Sequence, residues 1–441
     1  MPLNDAVGLA RIAYSVVFLL KLAGSLEASE LVWAHRRPPA LRLLAGVLVA
    51  ATVLLALGLL SGPAALASWL LYVILWRYAS LYCLEDVLLQ ALAFYFVFAA
   101  PGSGYSLDGR LGVPQLWGHV PGAEACLTAV SGAILLSGGL EKLRSPLWRA
   151  GDACGYFFRL PNVRRIDASF VGRRRWLAAP LNYLTIAFEF GYLPAMLLQY
   201  RPLGAAAWLL ASLFTLSLIV AFVVHWIGEA QLIMLGLAGW LLVHSPFPSL
   251  AHEPFGLLGW TILPALWTVL RLPGKPLKIL SRFTWGTLPV SAFSELHLKG
   301  PVVYQVLDAA TRRTAWPIFN ADSTPGPARS WRPTFFETMA YKVTDVCMEL
   351  DAYGEVRTPE RLQFIQRLSE YARRKSPGSP DRLLFRIAQI NPPEDFGGAA
   401  VDGFEVSFAD GRALPPRPLA KPILRHETGR TLERVVFGFK A

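Results

Sequence analysis

The sequence predicts an all-α polytopic membrane bundle of about eight or nine transmembrane helices, followed by a small α+β soluble domain. Three observations carry this. Hydrophobic residues fill 54% of the 441 positions and charged residues only 17%, unlike an average soluble chain. Before about Leu270, apolar runs of roughly 18 to 25 residues recur, the length needed to cross a hydrocarbon core. After about Thr284, proline, charge and short β-rich runs replace them. The expected division is a transmembrane domain over 1–275 and an extramembrane α+β domain over 284–441.

The apolar windows fall at 6–24, 41–60, 64–81, 83–100, 122–142, 177–199, 204–223, 228–244 and 254–270. The first lacks a basic leader and a clear small-residue cleavage site, so it reads as a span and not as a removable signal peptide. Ser61-Gly62-Pro63, Pro101-Gly102 and Arg201-Pro202 punctuate the series. Windows seven and eight are divided only around 225–228, which demands a tight hairpin, with the helix open to a break at Gly228.

Basic residues order the loops. Arg36, Arg37 and Arg42 follow the first span and Arg77 ends the third. Arg144, Arg149, Arg159, Arg164, Arg165 and Arg173 to Arg175 lie between the fifth and sixth, and Arg271, Lys275, Lys278 and Arg282 follow the ninth. All fall on one side, with little beyond Arg110 and Arg201 opposite, so the basic side is the cytoplasmic one by the positive-inside rule. The net charge of +11 is thus spent on topology and lipid headgroups, and no nucleic-acid partner is expected. In the long loop, LWRAGDACGYFFRL interleaves aromatics and leucines with arginines, the pattern of an interfacial helix. Four cysteines without a CxxC pair give no disulfide framework.

In the tail, Thr358-Pro359-Glu360 is a helix start, threonine as N-cap and proline at the first position. Leu362, Ile365, Leu368 and Tyr371 share a face, and Arg373, Arg374 and Lys375 close the helix where its dipole favours cations. Strands are expected at 383–390, 404–408 and 434–439, with a turn at 409–411. The tail holds no catalytic motif.

Charged residues in spans usually face the bundle interior and serve function. Here they are Arg11, Lys21, Glu85, Asp86, Glu141, Lys142, Glu189 and Glu229, with His225 at the hairpin. Span four opens at Glu85-Asp86, span five closes at Glu141-Lys142, and spans seven and eight meet at His225 and Glu229, all on the basic side. A lysine and a histidine from separate helices can then meet, with Glu85, Asp86, Glu141, Glu189 and Glu229 lining the space. A partly desolvated lysine is a competent base and a histidine a proton shuttle, so Lys142 and His225 are the candidate catalytic pair. The plainer alternative holds Lys142 in a structural ion pair with one of the carboxylates. Glu189, mid-span, reads equally as an intramembrane acid or a helix lock. His225 and Glu229 have i,i+4 spacing but no third ligand, so no metal site is expected.

SGGLEKLRSPLWRAG (137–151) resembles the small-residue–Lys-Leu–Trp–Gly signature of vitamin K-dependent γ-glutamyl carboxylases and of their bacterial relatives with the horizontally transferred transmembrane (HTTM) domain. AFYFVFAAPGSGYSLDG (93–109) is similar to that family's span and aromatic–Ser–Leu–Asp–Gly loop. VHWIGEAQLIMLGL (224–237) looks like its histidine hairpin, and AVGLARIAYSVVFLL, with Arg11, like its first span. The resemblance covers roughly 6–270. Glu141-Lys142 stands where the family has paired lysines, and Leu84-Glu85 where it has asparagine–histidine.

The span count puts the soluble domain on the side of the basic loops, and the resemblance implies a multi-pass protein of a bacterial inner membrane. It further implies an enzyme in which the lysine matched by Lys142 deprotonates reduced vitamin K or menaquinone. Oxygen then generates the base that removes a glutamyl γ-proton before CO2 adds. His225 matches the hairpin histidine. The tail departs from the carboxylase propeptide-binding region; a protein or peptide substrate or partner engaged through the C-terminal domain is a separate expectation. The carboxylase works on the lumenal face, whereas the arginines favour the cytoplasm, so the side stays open. A non-enzymatic membrane maturation or assembly factor, like lipase maturation factors or DoxX-like proteins, is the alternative; a transporter lacks the inverted repeat it would need.

Overall fold

The computed structural model describes residues 2–33, 40–79, 84–99, 102, 104–158, 166, 169–198, 200–221, 225–244, 257–287, 302–316, 359–390, 398–418 and 423–425. Side chains are described at all of these except 156, 169, 225–226, 257–260, 302–305, 359–361, 386–390, 398–403, 418 and 423–425.

The chain is mostly helical, with a small antiparallel sheet. Its long helices are α1 (Leu3–Glu27), α3 (Leu41–Leu57), α4 (Ser61–Arg77), α5 (Leu84–Phe98), α7 (Ala123–Arg144), α11 (Arg175–Leu197), α12 (Arg201–Val220), α13 (His225–His244) and α14 (Leu257–Val269). Each occupies one of the nine expected windows. Short helices fill the corners: α2 (Ser29–Val32), α6 (Leu107–Leu111), α8 (Pro146–Arg149), α9 (Ala153–Phe157), α10 (Ser169–Gly172) and α15 (Lys275–Phe283).

Among the described residues, four helices are long and apolar enough to cross a membrane: Leu3–Glu27, Ala123–Arg144, Arg201–Val220 and Ile227–His244. The others fall short for readable reasons. α3 and α4 have 17 residues, below a full bilayer's rise for an upright helix, and the described parts of α5 and α14 have 15 and 13. α11 is long enough, but Pro180, Asn182, Glu189 and Pro194 dilute its apolarity.

α5 is the central helix, buried on every face from Glu85 to Val97. Around it α1 packs on α3 and α13, α7 on α11, α13 and α14, and the hairpins α3–α4 and α12–α13 close the bundle. The α3–α4 turn is a Schellman motif: Gly58, at φ +65°, donates to Leu55 O and Leu59 to Leu54 O. α13 begins at His225 and continues through Gly228 unbroken, so the expected break is absent. A Cβ on Gly228 would stand 2.5 Å from Ile219, which makes this glycine the close contact of the α12–α13 crossing.

The stretch expected as one interfacial helix forms two short ones, α8 and α9, broken at Gly151 (φ +82°). Leu147, Trp148, Ala153 and Cys154 turn inward onto Ile186, because their apolar area finds a partner on α11. The bundle also runs past the expected boundary at Thr284: Trp285 is buried, 4.9 Å from the Phe94 ring, and donates to Thr261 Oγ1 at 3.1 Å.

The tail holds β1 (Val302–Asp308), α16 (Pro359–Lys375), β2 (Arg382–Ile390), β3 (Gly398–Ala409), β4 (Arg412–Ala413), β5 (Arg417–Pro418) and β6 (Ile423–Arg425). The sheet order is β1-β2-β3-β4, with β5 and β6 also on β3. Phe385 and Phe404 face each other in the β2–β3 register and stack at 4.6 Å. The turn at 409–411 forms as expected, with Asp410 and Gly411 both at positive φ between paired Ala409 and Arg412. Phe364, Ile365 and Leu368 bury the inner face of α16. The expected N-cap Thr358 and the expected strand at 434–439 lie outside the described residues.

The basic end of α16 works on the bundle. Arg374 pairs with Glu30, Lys375 with Glu27 at 3.4 Å, and Tyr371 is pushed up to about 12 by burial and by those two glutamates. Arg373 instead closes the tail: its Nε donates to Pro380 O at 3.0 Å over the Phe408 ring.

At the opposite end of α1, the Ser-Leu-Asp-Gly loop acts as a clasp. Asp108 accepts from the Leu60 and Ser61 amides, both at 2.8 Å, and from Ser61 Oγ at 2.6 Å, capping α4 from 47 residues away. Arg11 donates to Tyr105 O at 2.7 Å in the same loop. Burial alone would raise the Asp108 carboxyl, but the Ser61 hydroxyl, the two amides and Arg11 outweigh it and hold it below its ordinary 3.8. Its stabilisation is therefore complete above pH 3.8 and is lost as pH falls through the lowered folded value. We expect Asp108→Ala to lower Tm in detergent by about 5 °C, with Ser61→Ala milder. A melt of Asp108→Ala indistinguishable from the parent refutes the clasp.

Candidate functional site

Lys142 sits on the last turns of α7, where Gly138 and Gly139 leave one face bare. A Cβ on Gly139 would stand 3.2 Å from the Glu189 Cβ, and one on Gly138 would stand 3.4 Å from Glu189 Oε2 and 3.5 Å from Lys142 Nζ. The glycines thus admit α11 and its carboxylate. Lys142 Nζ donates to both oxygens of Glu189 at 2.7 Å, and both side chains are buried. The Trp148 ring lies 5.1 Å from the ammonium, within cation–π range. Lys142 is thus in a buried ion pair, and of the expected carboxylates Glu189 is its partner.

α11 supplies the surrounding frame. Asn182 Nδ2 donates to Trp148 O at 2.6 Å and its Oδ1 accepts from the Cys154 amide at 3.3 Å, which locks α8 and α9 over the pair. Burial pushes the Cys154 thiol up to about 12, so it is no nucleophile at neutral pH. Ser145, three residues past Lys142, donates its amide to Lys142 O, while its buried hydroxyl has no partner among the described residues.

The other expected site residues divide. Glu85 and Asp86 pair with Lys21 of α1, at 3.3 and 2.7 Å, and Tyr72 donates to Asp86 Oδ1 at 2.9 Å. They do not join Lys142: α1 brings its own lysine to the head of α5, so the single expected vestibule becomes two charge clusters. Glu141, on a different face of α7 from Lys142, binds Arg144 at 2.6 Å and Arg271 at 3.2 Å. Glu229 is half-buried on the first turns of α13. His225 opens α13, and its side chain lies outside the described residues, as therefore does the expected meeting with Lys142. No group of three metal-ligating side chains occurs among the described residues.

Both lysine clusters lie at the end of the bundle that carries α16. Lys21 precedes Glu27 on α1, and α5 and α7 are antiparallel neighbours joined at their far ends through Val120 N to Phe98 O at 2.9 Å. At that far end a third cluster forms: Glu124 accepts from Tyr95 at 2.8 Å and faces His119 Nε2 at 3.3 Å. Sequence reasoning missed Asn182, Tyr72, Ser145 and this cluster. The stripe Asn182, Thr185, Glu189 along one face of α11 was the signal available for the first.

An uncompensated buried charge is far costlier than a neutral pair. Lys21→Met, which removes the cation that Glu85 and Asp86 both face, should lower Tm by about 10 °C, and adding Asp86→Asn, which still accepts from Tyr72, should recover part of the loss. Differential scanning fluorimetry in detergent decides; a parental melt for Lys21→Met contradicts the pairing.

Compared with known proteins, the chain matches no family model, no curated protein and no solved structure.

Proposed function

We propose that the chain is an integral multi-pass membrane protein of eight or nine spans, an HTTM-type domain over 1–275 bearing an α+β domain, and that it is a carboxylase-like enzyme with Lys142 as base. What supports the membrane reading is an inverted burial pattern. α12 has a mean hydropathy of 2.1 with 28% of its window buried, whereas α7 reaches only 1.5 with 78% buried. Of the four long apolar helices, the most apolar faces outward and the polar-bearing α7 inward, the reverse of a water-soluble core. The shorter helices count as spans if they cross where the bundle thins the bilayer.

The observation that carries the enzymatic reading is the Lys142–Glu189 pair, buried beside the Trp148 ring; the buried Ser145 hydroxyl, three residues on in sequence, has no partner among the described residues. These residues fit a reduced quinone, vitamin K or menaquinone, whose hydroxyl needs a hydrogen-bonding partner and whose ring needs an aromatic face. When bound, with O2 and CO2, that group supplies the strongly basic chemistry of glutamate carboxylation on a protein or peptide. Lys142 accepts a proton at Nζ in its neutral form. Glu189, 2.7 Å away, exchanges that proton with the amine and neutralises the ammonium. Trp148 and Ser145 are the residues that would hold the ring. By resemblance His225 carries the proton onward.

A second reading, a non-enzymatic membrane maturation or assembly factor, is favoured by the close fit of Lys142 in its pair and by the docking of α16 on Glu27 and Glu30. Lys142→Arg separates the two. Arginine keeps the charge and the pair but does not release its proton. The enzymatic reading predicts wild-type quinol oxidation and CO2 incorporation, reduced at least about a hundredfold in Lys142→Arg with a near-parental melt. Turnover that survives in Lys142→Arg sinks the base assignment. A wild type without turnover favours the assembly factor.

A further inference from the structure

We propose that α15 and the turn before it form a binding site for anionic phospholipid headgroups; the inference rests on the membrane reading. Nothing in the apolar windows marked this segment as an element. Its residues divide sharply: Lys275, Lys278 and Arg282, at i, i+3 and i+7, share one face, while Pro276, Ile279, Leu280 and Phe283 share the face beside it. Ser281 alone is buried within the helix. Leu270, Leu272, Ile279 and Leu280 are all exposed around one corner. Such a patch needs a cover.

The corner is rigid. Trp267 Nε1 donates to Pro273 O at 2.7 Å across the turn. Gln90 Nε2, from the central helix α5, donates to Arg282 O at 2.7 Å and Phe283 O at 3.1 Å, satisfying carbonyls at the end of α15. Gly286, at φ +69°, comes so close that a Cβ would stand 2.9 Å from Gln90. The apolar face is therefore held outward by the bundle.

Charge selects the occupant. Arg271 is engaged by Glu141, but it and Arg77, whose guanidinium lies 6.0 Å from the Phe283 ring, add cations to the same corner. Exposed Leu263 on α14 continues the apolar surface along a helix flank, where acyl chains run and a peptide would not. A basic face beside an outward apolar face matches a headgroup with net negative charge above its own acyl chains. An acidic protein segment would satisfy the lysines but leave the leucines in water.

The test uses the full chain in nanodiscs of phosphatidylcholine with increasing phosphatidylglycerol, with retained lipid read by native mass spectrometry. Wild type should retain phosphatidylglycerol in preference to phosphatidylcholine. Lys275→Gln/Lys278→Gln should weaken phosphatidylglycerol retention by about thirtyfold, while Arg110→Gln/Arg201→Gln, at the other end, should leave it unchanged. Ile279→Asn/Leu280→Asn should weaken both lipids. Equal retention of the two lipids by wild type, or an unchanged preference in the double lysine variant, overturns the site alone. A chain that carbonate washing releases from membranes overturns this inference and the membrane reading together.

Discussion

A lysine and a glutamate removed from water on two different helices set the terms for this protein. Stripping both charges of solvent costs several kcal/mol each, so the pair persists only with close geometry and complete neutralisation. Gly138 and Gly139 provide the first by letting α11 approach α7 within side-chain reach, and Glu189 provides the second with both oxygens on Nζ. The rest of that corner follows from holding the pair: Asn182 pins α8 and α9 across it, and the apolar residues of those short helices close it over.

The same logic repeats along the bundle with different parts. Lys21 joins α1 to the head of α5, Glu124 joins α5 to α7 at the far end, and Asp108 ties the loop after α5 back to α4. Charged and polar groups at both ends thus tie helices whose outer leucines give them no reason to choose one neighbour over another. The tail uses weaker, half-exposed pairs on Glu27 and Glu30, supported by apolar packing continuous with the bundle core. An exposed pair contributes little on its own, so apolar contact holds the tail and the charges orient it.

All nine apolar windows were legible as helices, with four of them long and apolar enough to span among the described residues, as were the α16 face and the Asp410-Gly411 hairpin. What composition could not supply was partner choice. Lys142 has several carboxylates at plausible depth in the sequence, and only the packing of glycines on α7 against α11 selects Glu189 over Glu85, Asp86 or Glu229. Lys21, read as one charged residue among several, takes the partners that the sequence would have lent to Lys142. The 147–160 stretch looked interfacial because its arginines alternate with aromatics, yet Gly151 folds its apolar half inward. Trp285 shows the same limit: a short polar-flanked segment reads as the start of a soluble domain until a hydrogen bond to Thr261 places it inside the bundle.

The central claim is that the α7–α11 crossing is held by opposite charges in a water-poor interior. Exchanging them is the most direct test: Lys142→Glu and Glu189→Lys, singly and together, followed by thermal melts of the detergent-purified chain. Each single exchange places like charges at contact distance and should lower Tm by at least about 10 °C, while the double exchange should restore more than half of the loss. A double variant as unstable as the sum of the singles would contradict the account.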